Sequence, residues 1–259
     1  MQIKDSVIWI TGGTSGIGKG IAELMVEKGA KVVISGRNEE KGAEICEALG
    51  KNCVFIKCDV TDFEQIKAAA QAVVDRWGRM DVVCSFAGAP SVYPLFGPDG
   101  ELNPNDGFRK DINVDLIGTY DTVRVAAYHI KKNEPNEFGE RGCVILCSSL
   151  AAFSGSGNYL FGYKTAKEGV KALNRCFADA FAPFGIRCNA VMPGFILSGI
   201  TTNPATNLGI DSAGDIPGQQ FPTKIGKPYN IATTVAHMIE NEFINRADFS
   251  VDAGHMSRY

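Results

Sequence analysis

Short apolar runs alternate along this chain with longer stretches in which apolar residues return every three or four positions. The runs are Val7–Thr11, Lys31–Ser35, Val54–Cys58, Val82–Phe86, Cys143–Ser148, Arg187–Val191 and Asp248–Val251. They are short and rich in β-branched or small residues, as strands covered on both faces require. The amphipathic stretches are Gly18–Lys28, Glu39–Leu49, Phe63–Trp77, Asn105–Lys132, Tyr159–Phe184 and Tyr229–Glu242. Strand–helix alternation predicts an α/β fold, a doubly wound parallel sheet of seven strands with helices on both faces and right-handed crossovers. No repeat or low-complexity linker interrupts the pattern, so residues 1–259 read as one domain. Two stretches rich in Gly, Pro and Asn break the rhythm, Pro90–Gly107 and Gly194–Pro228. Both follow strand ends, where sheets of this kind bind ligands, and loops of this length are usually either functional or disordered. They are expected on the substrate side, with 194–228 as a lid; a disordered surface loop is the alternative.

The first strand runs into Thr11-Gly12-Gly13-Thr14-Ser15-Gly16-Ile17-Gly18, and a helix follows. Strand, glycine turn and helix together make a credible dinucleotide cradle of the Rossmann type. Gly12 allows the tight turn, and Gly16 and Gly18 let the backbone approach a pyrophosphate. Thr14, Ser15 and Ile17 complete the loop, whose free N–H groups and helix dipole would face the phosphates.

Composition then narrows the class. The chain has 259 residues, 45% hydrophobic and 21% charged, with net charge −3. That is ordinary for a globular α/β domain able to bury roughly 70–75% of its unfolded surface. The longest basic run is Lys131-Lys132, which is no nucleic-acid footprint. No apolar run approaches the ~20 residues needed to cross a bilayer, and Met1-Gln2-Ile3-Lys4-Asp5 leads straight into the first strand. A soluble, unexported, cytoplasmic protein without membrane or nucleic-acid partners is expected. The eight cysteines form no C-x-x-C pair, and Cys84, Cys143, Cys147 and Cys188 sit in strand-like runs. They read as reduced structural thiols. His129, His237 and His255 lack ligand spacing, so no metal site is expected.

Tyr163 and Lys167 stand at i and i+4, on one face of a helix. An ammonium beside a phenol favours phenolate, pulling the tyrosine pKa down toward neutrality, where it exchanges protons with an alcohol or carbonyl. Any helix contains Tyr-x-x-x-Lys by chance; here a strand ending Ser148-Ser149 lies just upstream and the glycine turn opens the chain.

Those motifs, with Cys58-Asp59-Val60, Asn113, Pro193-Gly194 and Val251-Asp252-Ala253-Gly254 in this order, resemble the short-chain dehydrogenase/reductase family over essentially the whole chain. The resemblance implies that Tyr163 is the general acid/base. Lys167 would bind the nicotinamide ribose and depress the tyrosine pKa. Ser149 would polarise the carbonyl or orient the alcohol, and Asn113 would hold a proton-relay water. Asp59 and Val60 would approach the adenine, Ala87 and Gly88 would lie beside the cofactor, and Pro193, Gly194, Ile196 and Ser198 would lie at the nicotinamide. Three departures stand out. Ser85-Phe86 replaces a pair of asparagines, Ser149 lies one residue further from Tyr163 than usual, and Ser198 replaces a threonine. Gly118-Thr119-Tyr120, Asn133-Glu134-Pro135, Gly139-Glu140-Arg141-Gly142 and Ala151-Ala152-Phe153 are similar to type II 3-hydroxyacyl-CoA and hydroxysteroid dehydrogenases.

The second strand ends Ser35-Gly36-Arg37, where an NAD enzyme carries a carboxylate for the ribose 2′-hydroxyl. Arg37 suits a phosphate, which predicts NADP; the alternative is NAD, with Glu39 or Glu40 on the ribose. The expected reaction interconverts a secondary alcohol and a ketone, first a 3-hydroxyacyl-CoA or similar thioester, next a hydroxysteroid or small hydrophobic alcohol. Phe153, Tyr159, Phe161 and Phe195 are candidate substrate walls or core residues. Lys224, Lys227 and Arg258 are candidate CoA-phosphate contacts or solvated surface groups. The alternative function is a catalytically weak scaffold subunit of a hetero-oligomeric dehydrogenase. The resemblance also implies a homo-oligomer, tetramer or dimer, assembled through the long helices.

Overall fold

A computed structural model describes residues 1–103, 107–153, 159–198, 215–216 and 218–255. Seven strands, β1 (Val7–Thr11), β2 (Lys31–Gly36), β3 (Cys53–Lys57), β4 (Val82–Ser85), β5 (Gly142–Cys147), β6 (Ile186–Pro193) and β7 (Asp248–Val251), form one sheet. Its order is β3-β2-β1-β4-β5-β6-β7, and every pairing is parallel. The doubly wound parallel sheet expected from the sequence is therefore present. The chain reverses its winding between β1 and β4, which opens a crevice at the carboxyl ends of those strands.

Side-chain alternation in the strands builds two cores. Ile8, Ile10, Val32, Ile34, Val82 and Cys84 point to one face, against Ile21 and Met25 of α1 (Gly16–Glu27) and Ile231 and Val235 of α7 (Pro228–Glu240). Val7, Trp9, Val33, Val83 and Leu146 point to the other. There they meet Ile66 and Val73 of α3 (Phe63–Trp77), Val123 of α5 (Gly118–Ile130) and Phe177 of α6 (Phe161–Phe181). Trp9 is fully buried because its indole N–H donates to Ser35 Oγ at 2.9 Å. Helix α2 (Glu39–Leu49) covers the β3 edge; Gly42 lies so close to the Phe55 ring that a side chain there would clash.

The first and last strands match the sequence reading, the other five differ from it by one or two residues at an end, and the stretch read as one helix over 105–132 differs in kind. It contains α4 (Gly107–Asp111), a π-helical segment Ile112–Ile117 and then α5. The π-segment adds a residue to a turn and rotates the side chains within it, an irregularity that recurs at functional sites. Residues 104–106 lie outside the described part, as do 199–214 and 217, which carry most of the expected lid. Of that loop, Ile196 pairs with Gly226 and Asp215 with Lys224. No described helix is long and apolar enough to cross a membrane.

One buried cation ties the β6 end of the sheet to α7. Arg187 pairs with Glu140 at 2.8 Å and donates to the carbonyls of Met238, Ile239 and Ile244 at 2.7–2.8 Å. It thus satisfies the orphan carbonyls at the C-terminus of α7 and meets the negative end of its dipole. Replacing Arg187 with Met leaves these carbonyls buried without their donor and leaves Glu140 only the Met1 ammonium and Asn136. Arg187→Met is expected to cost about 3–5 kcal/mol in urea unfolding; a loss below about 1 kcal/mol would contradict this account.

Candidate active site

The glycine turn between β1 and α1 is shaped by contacts that exclude side chains. Gly12 has φ +70°, and a Cβ there would lie 2.6–2.7 Å from the Phe86 carbonyl and the Ala87 nitrogen. Gly16 also has a positive φ, and a Cβ on Gly18 would collide with the Gly12 carbonyl. Ser15 at the N-cap of α1 makes no side-chain hydrogen bond into the helix. The result is a bare helix N-terminus behind a turn with no room for Cβ atoms, which fits a dinucleotide pyrophosphate. Ile17 and Thr14 are half-buried, and Thr14 packs against Gly36 at the end of β2. Ser198 stands beside Gly16, and Gly194 is held by its N–H to the Val251 carbonyl at 3.0 Å, directly after Pro193. Ile196 is buried. Ala87 donates to Thr11 Oγ1 at 3.4 Å, so the strand end is braced here by a threonine although Phe86 stands in the sequence. Asp59 accepts from Thr61 N and Oγ1 at 3.0 and 2.8 Å, fixing the turn after β3, while Val60 packs on Gly118.

Across the crevice, β5 and α6 supply the titratable groups. Lys167 is 3% exposed, and its ammonium donates to the Cys147 carbonyl at 3.0 Å. Ser148 Oγ donates to the Lys167 carbonyl at 2.7 Å, locking the end of β5 to the first turns of α6. The Tyr163 ring lies 5.4 Å from Lys167 Nζ, and Ser149 is near enough to the Tyr163 phenol to oppose the rise in its proton affinity. The register shift of Ser149 therefore does not separate it from the tyrosine. The Ser149 side chain also caps the short helix that follows, accepting from Ala151 N at 3.1 Å.

One expected member of the cluster is replaced by another residue. Asn113 is exposed, whereas Asp115, two residues on, is 0% exposed and faces Lys167 Nζ at 2.9 Å. The π-helical segment turns Asp115 inward beneath Gly88, whose position would not accept a Cβ. The assignment of Asn113 presumed both an amide and a regular α-helix. The signal available in the sequence was an aspartate between Val114 and Leu116, in a segment otherwise apolar enough to be buried.

Electrostatics here also differ from the simple dyad. Burial pushes the Tyr163 phenol up to about 12; Lys167 opposes that shift, and Asp115 and Cys147 reinforce it. Burial opposes the charge on Lys167, but Asp115, Tyr163 and Cys147 outweigh it and hold the ammonium above the usual lysine range. The expectation of a tyrosine drawn toward neutrality counted the lysine and missed both the desolvation and the neighbouring carboxylate.

A doubly wound sheet with a glycine turn at its switch point and a Ser–Tyr–Lys cluster opposite defines a dinucleotide-dependent oxidoreductase. A family model described as enoyl-(acyl carrier protein) reductase matches residues 12–256. The 3-hydroxyacyl-CoA dehydrogenase type-2 of Bos taurus is 33% identical over 247 residues, 94% of this chain and 92% of that protein. A crystal structure of 3-hydroxyacyl-CoA dehydrogenase type-2 from Mycobacterium avium superposes with TM-score 0.87 at 28% identity, over 97% of this chain and 96% of the other. A structure of ElxO with NADP bound gives TM-score 0.83 at 29% identity, over 98% and 99%. The chain belongs to the short-chain dehydrogenase/reductase family, and it is an oxidoreductase acting on alcohol and carbonyl groups.

Gly12→Ala tests the cradle. A positive φ and the blocked Cβ position together cost about 1–3 kcal/mol locally, so nicotinamide dinucleotide affinity should fall about tenfold or more. A fluorescence titration reads this, with circular dichroism as the check on folding; unchanged affinity would refute the assignment.

Proposed function

We propose that the chain interconverts a secondary alcohol and a ketone with NADP(H), using Tyr163 as proton donor and acceptor, Ser149 as orienting hydroxyl and Lys167 as the cation beneath them. The observation that carries this reading is the Tyr163 ring 5.4 Å from the ammonium of the buried Lys167, with Ser149 at the phenol. The bound nicotinamide supplies or accepts the hydride. In reduction the carbonyl oxygen lies between the Ser149 and Tyr163 hydroxyls and takes the proton from Tyr163 Oη as the carbon is reduced. In oxidation the alcohol proton passes to the same oxygen. The two hydroxyls fix the substrate oxygen so that only one hydrogen-bond geometry is productive.

Charge around the ribose favours NADP over NAD. An acidic side chain at position 36 has no room, because a Cβ there would approach Thr14 Oγ1 to 2.9 Å. Arg37 is exposed next to this point, and Glu39, the alternative ribose partner, is engaged with Lys57 at 2.6 Å. The NADP-bound state of ElxO supports the same choice.

A 3-hydroxyacyl thioester is the first substrate class, supported by the likeness to 3-hydroxyacyl-CoA dehydrogenase type-2 over nearly the whole chain. A hydroxysteroid or small hydrophobic alcohol is next. Phe153, Tyr159 and Phe161 are exposed rather than core, and Phe195 packs edge-on against His255 at 5.2 Å, so apolar walls are available. Lys224 pairs with Asp215 at 3.1 Å, Lys227 caps α7, and Arg258 lies outside the described residues. The scaffold reading would leave the converged Ser149, Tyr163 and Lys167 without a role. Exposed Tyr120 and Tyr128 on α5 and Phe184 after α6 support assembly of like copies through these helices. Eight free cysteines, several fully buried with their thiols pushed up by burial, fit a reducing compartment such as the cytoplasm.

Tyr163→Phe should lower ketone reduction about 100-fold or more with NADPH affinity retained; equal loss of binding, or retained turnover, would remove Tyr163 from the chemistry. Arg37→Asp should move the NADPH/NADH ratio of kcat/KM toward NADH by about tenfold or more, and an unchanged ratio would refute the charge argument.

A further inference from the structure

Asp115 has no part in the chemistry described above, yet it is a fully buried carboxylate in the crevice. Its side chain has no exposure and its oxygen lies 2.9 Å from Lys167 Nζ. Every element packed on it can be named. From α6 come Lys167 and Tyr163, from β5 the Cys147 thiol, from the loop after β4 the Ala89 N–H and Gly88, and from α4 Asp111. Asp111 is held separately, accepting from Ser91 N at 3.1 Å and from Ser91 Oγ at 2.7 Å. Lys167 is thus the cation that answers Asp115, and the pair is charge-balanced before any substrate enters.

We propose that Asp115 is a positioning residue that acts through Lys167: as the ammonium's resident counter-ion it keeps Tyr163 in its neutral hydroxyl form and sets the site for proton donation, that is for ketone reduction, at neutral pH. The inference rests on the reading of Tyr163 as proton donor. An amide at position 115 would satisfy the lysine without cancelling its charge. The phenol would then face a net cation, and phenolate would become the favoured form at lower pH. With a carboxylate, a phenolate would be a second anion beside the same lysine. Burial is the larger cause of the rise of the Tyr163 phenol above its ordinary value, and Asp115 adds to it.

The test is Asp115→Asn, read through tyrosinate absorbance during a pH titration, with the Tyr163→Phe chain subtracted so that only Tyr163 is followed. Ionisation of Tyr163 should move down by about one unit or more in the variant. In parallel, kcat for alcohol oxidation at neutral pH should rise relative to kcat for ketone reduction. A folded variant whose Tyr163 titrates where it did before overturns the proposal and leaves Asp115 a structural anchor. If the variant does not fold, the unsubstituted chain decides. Tyr163 ionising above about pH 10 supports the counter-ion role, and ionisation at or below that value shows an uncompensated lysine and overturns it. A chain that reduces no ketone but whose Tyr163 shifts as stated loses the functional reading and keeps the electrostatic one.

Discussion

The ammonium of Lys167 is buried at the carboxyl edge of the sheet, and a cation there is tolerated only because its surroundings answer its charge. A lone buried ammonium costs several kcal/mol, and breaking a buried pair typically costs about 3–5 kcal/mol. Asp115 and the Cys147 carbonyl meet that demand at 2.9 and 3.0 Å. Their positions follow from the fold: Cys147 ends β5, Asp115 is swung inward by a π-helical turn, and Ser148 fastens the strand end to α6. Once Lys167 is fixed, Tyr163 one helical turn before it is fixed as well, and Ser149 meets the phenol. Tyr163 and Lys167 are thus held by one regular helix, with Ser149 at the cap of the short helix after β5, which favours the reproducible geometry that proton transfer needs.

The opposite wall of the crevice is made by exclusion. At Gly12, Gly18, Gly36 and Gly88 the neighbouring atoms leave no room for a Cβ. The first two shape the turn after β1, the third lies against Thr14 at the end of β2, and the fourth makes room for Asp115. Small residues therefore connect the cofactor side of the cleft to the proton-transfer side.

Much of this was legible in the sequence. Val7–Thr11 read correctly to the residue because it is apolar and covered on both faces, and the half-buried edge strand Asp248–Val251 read correctly as well. Glu39–Leu49 and Phe63–Trp77 did too, since Asn38 and Asp62 cap them through hydrogen bonds to Lys41 N and to Glu64 N and Gln65 N. The glycine turn and the Tyr163–Lys167 spacing were equally readable, because their meaning is local. What failed was non-local. The π-turn leaves no periodicity signal within a helix-rich segment, so the burial of Asp115 against Lys167 was not readable there. The phenol's proton affinity depends on burial and on a carboxylate 48 residues away in the chain, which spacing within one helix does not report.

The central claim is that a neutral Tyr163 hydroxyl delivers the proton in ketone reduction. The most direct measurement is the pH dependence of kcat/KM for NADPH-driven reduction of a 3-oxoacyl thioester. A donor whose phenol is pushed up to about 12 stays protonated through the neutral and mildly alkaline range and loses activity only as pH rises toward that value. The account predicts a rate that is flat from about pH 7 to about pH 9. A rate that falls through a single ionisation near pH 7 would show that Tyr163 is drawn toward phenolate, and would contradict it.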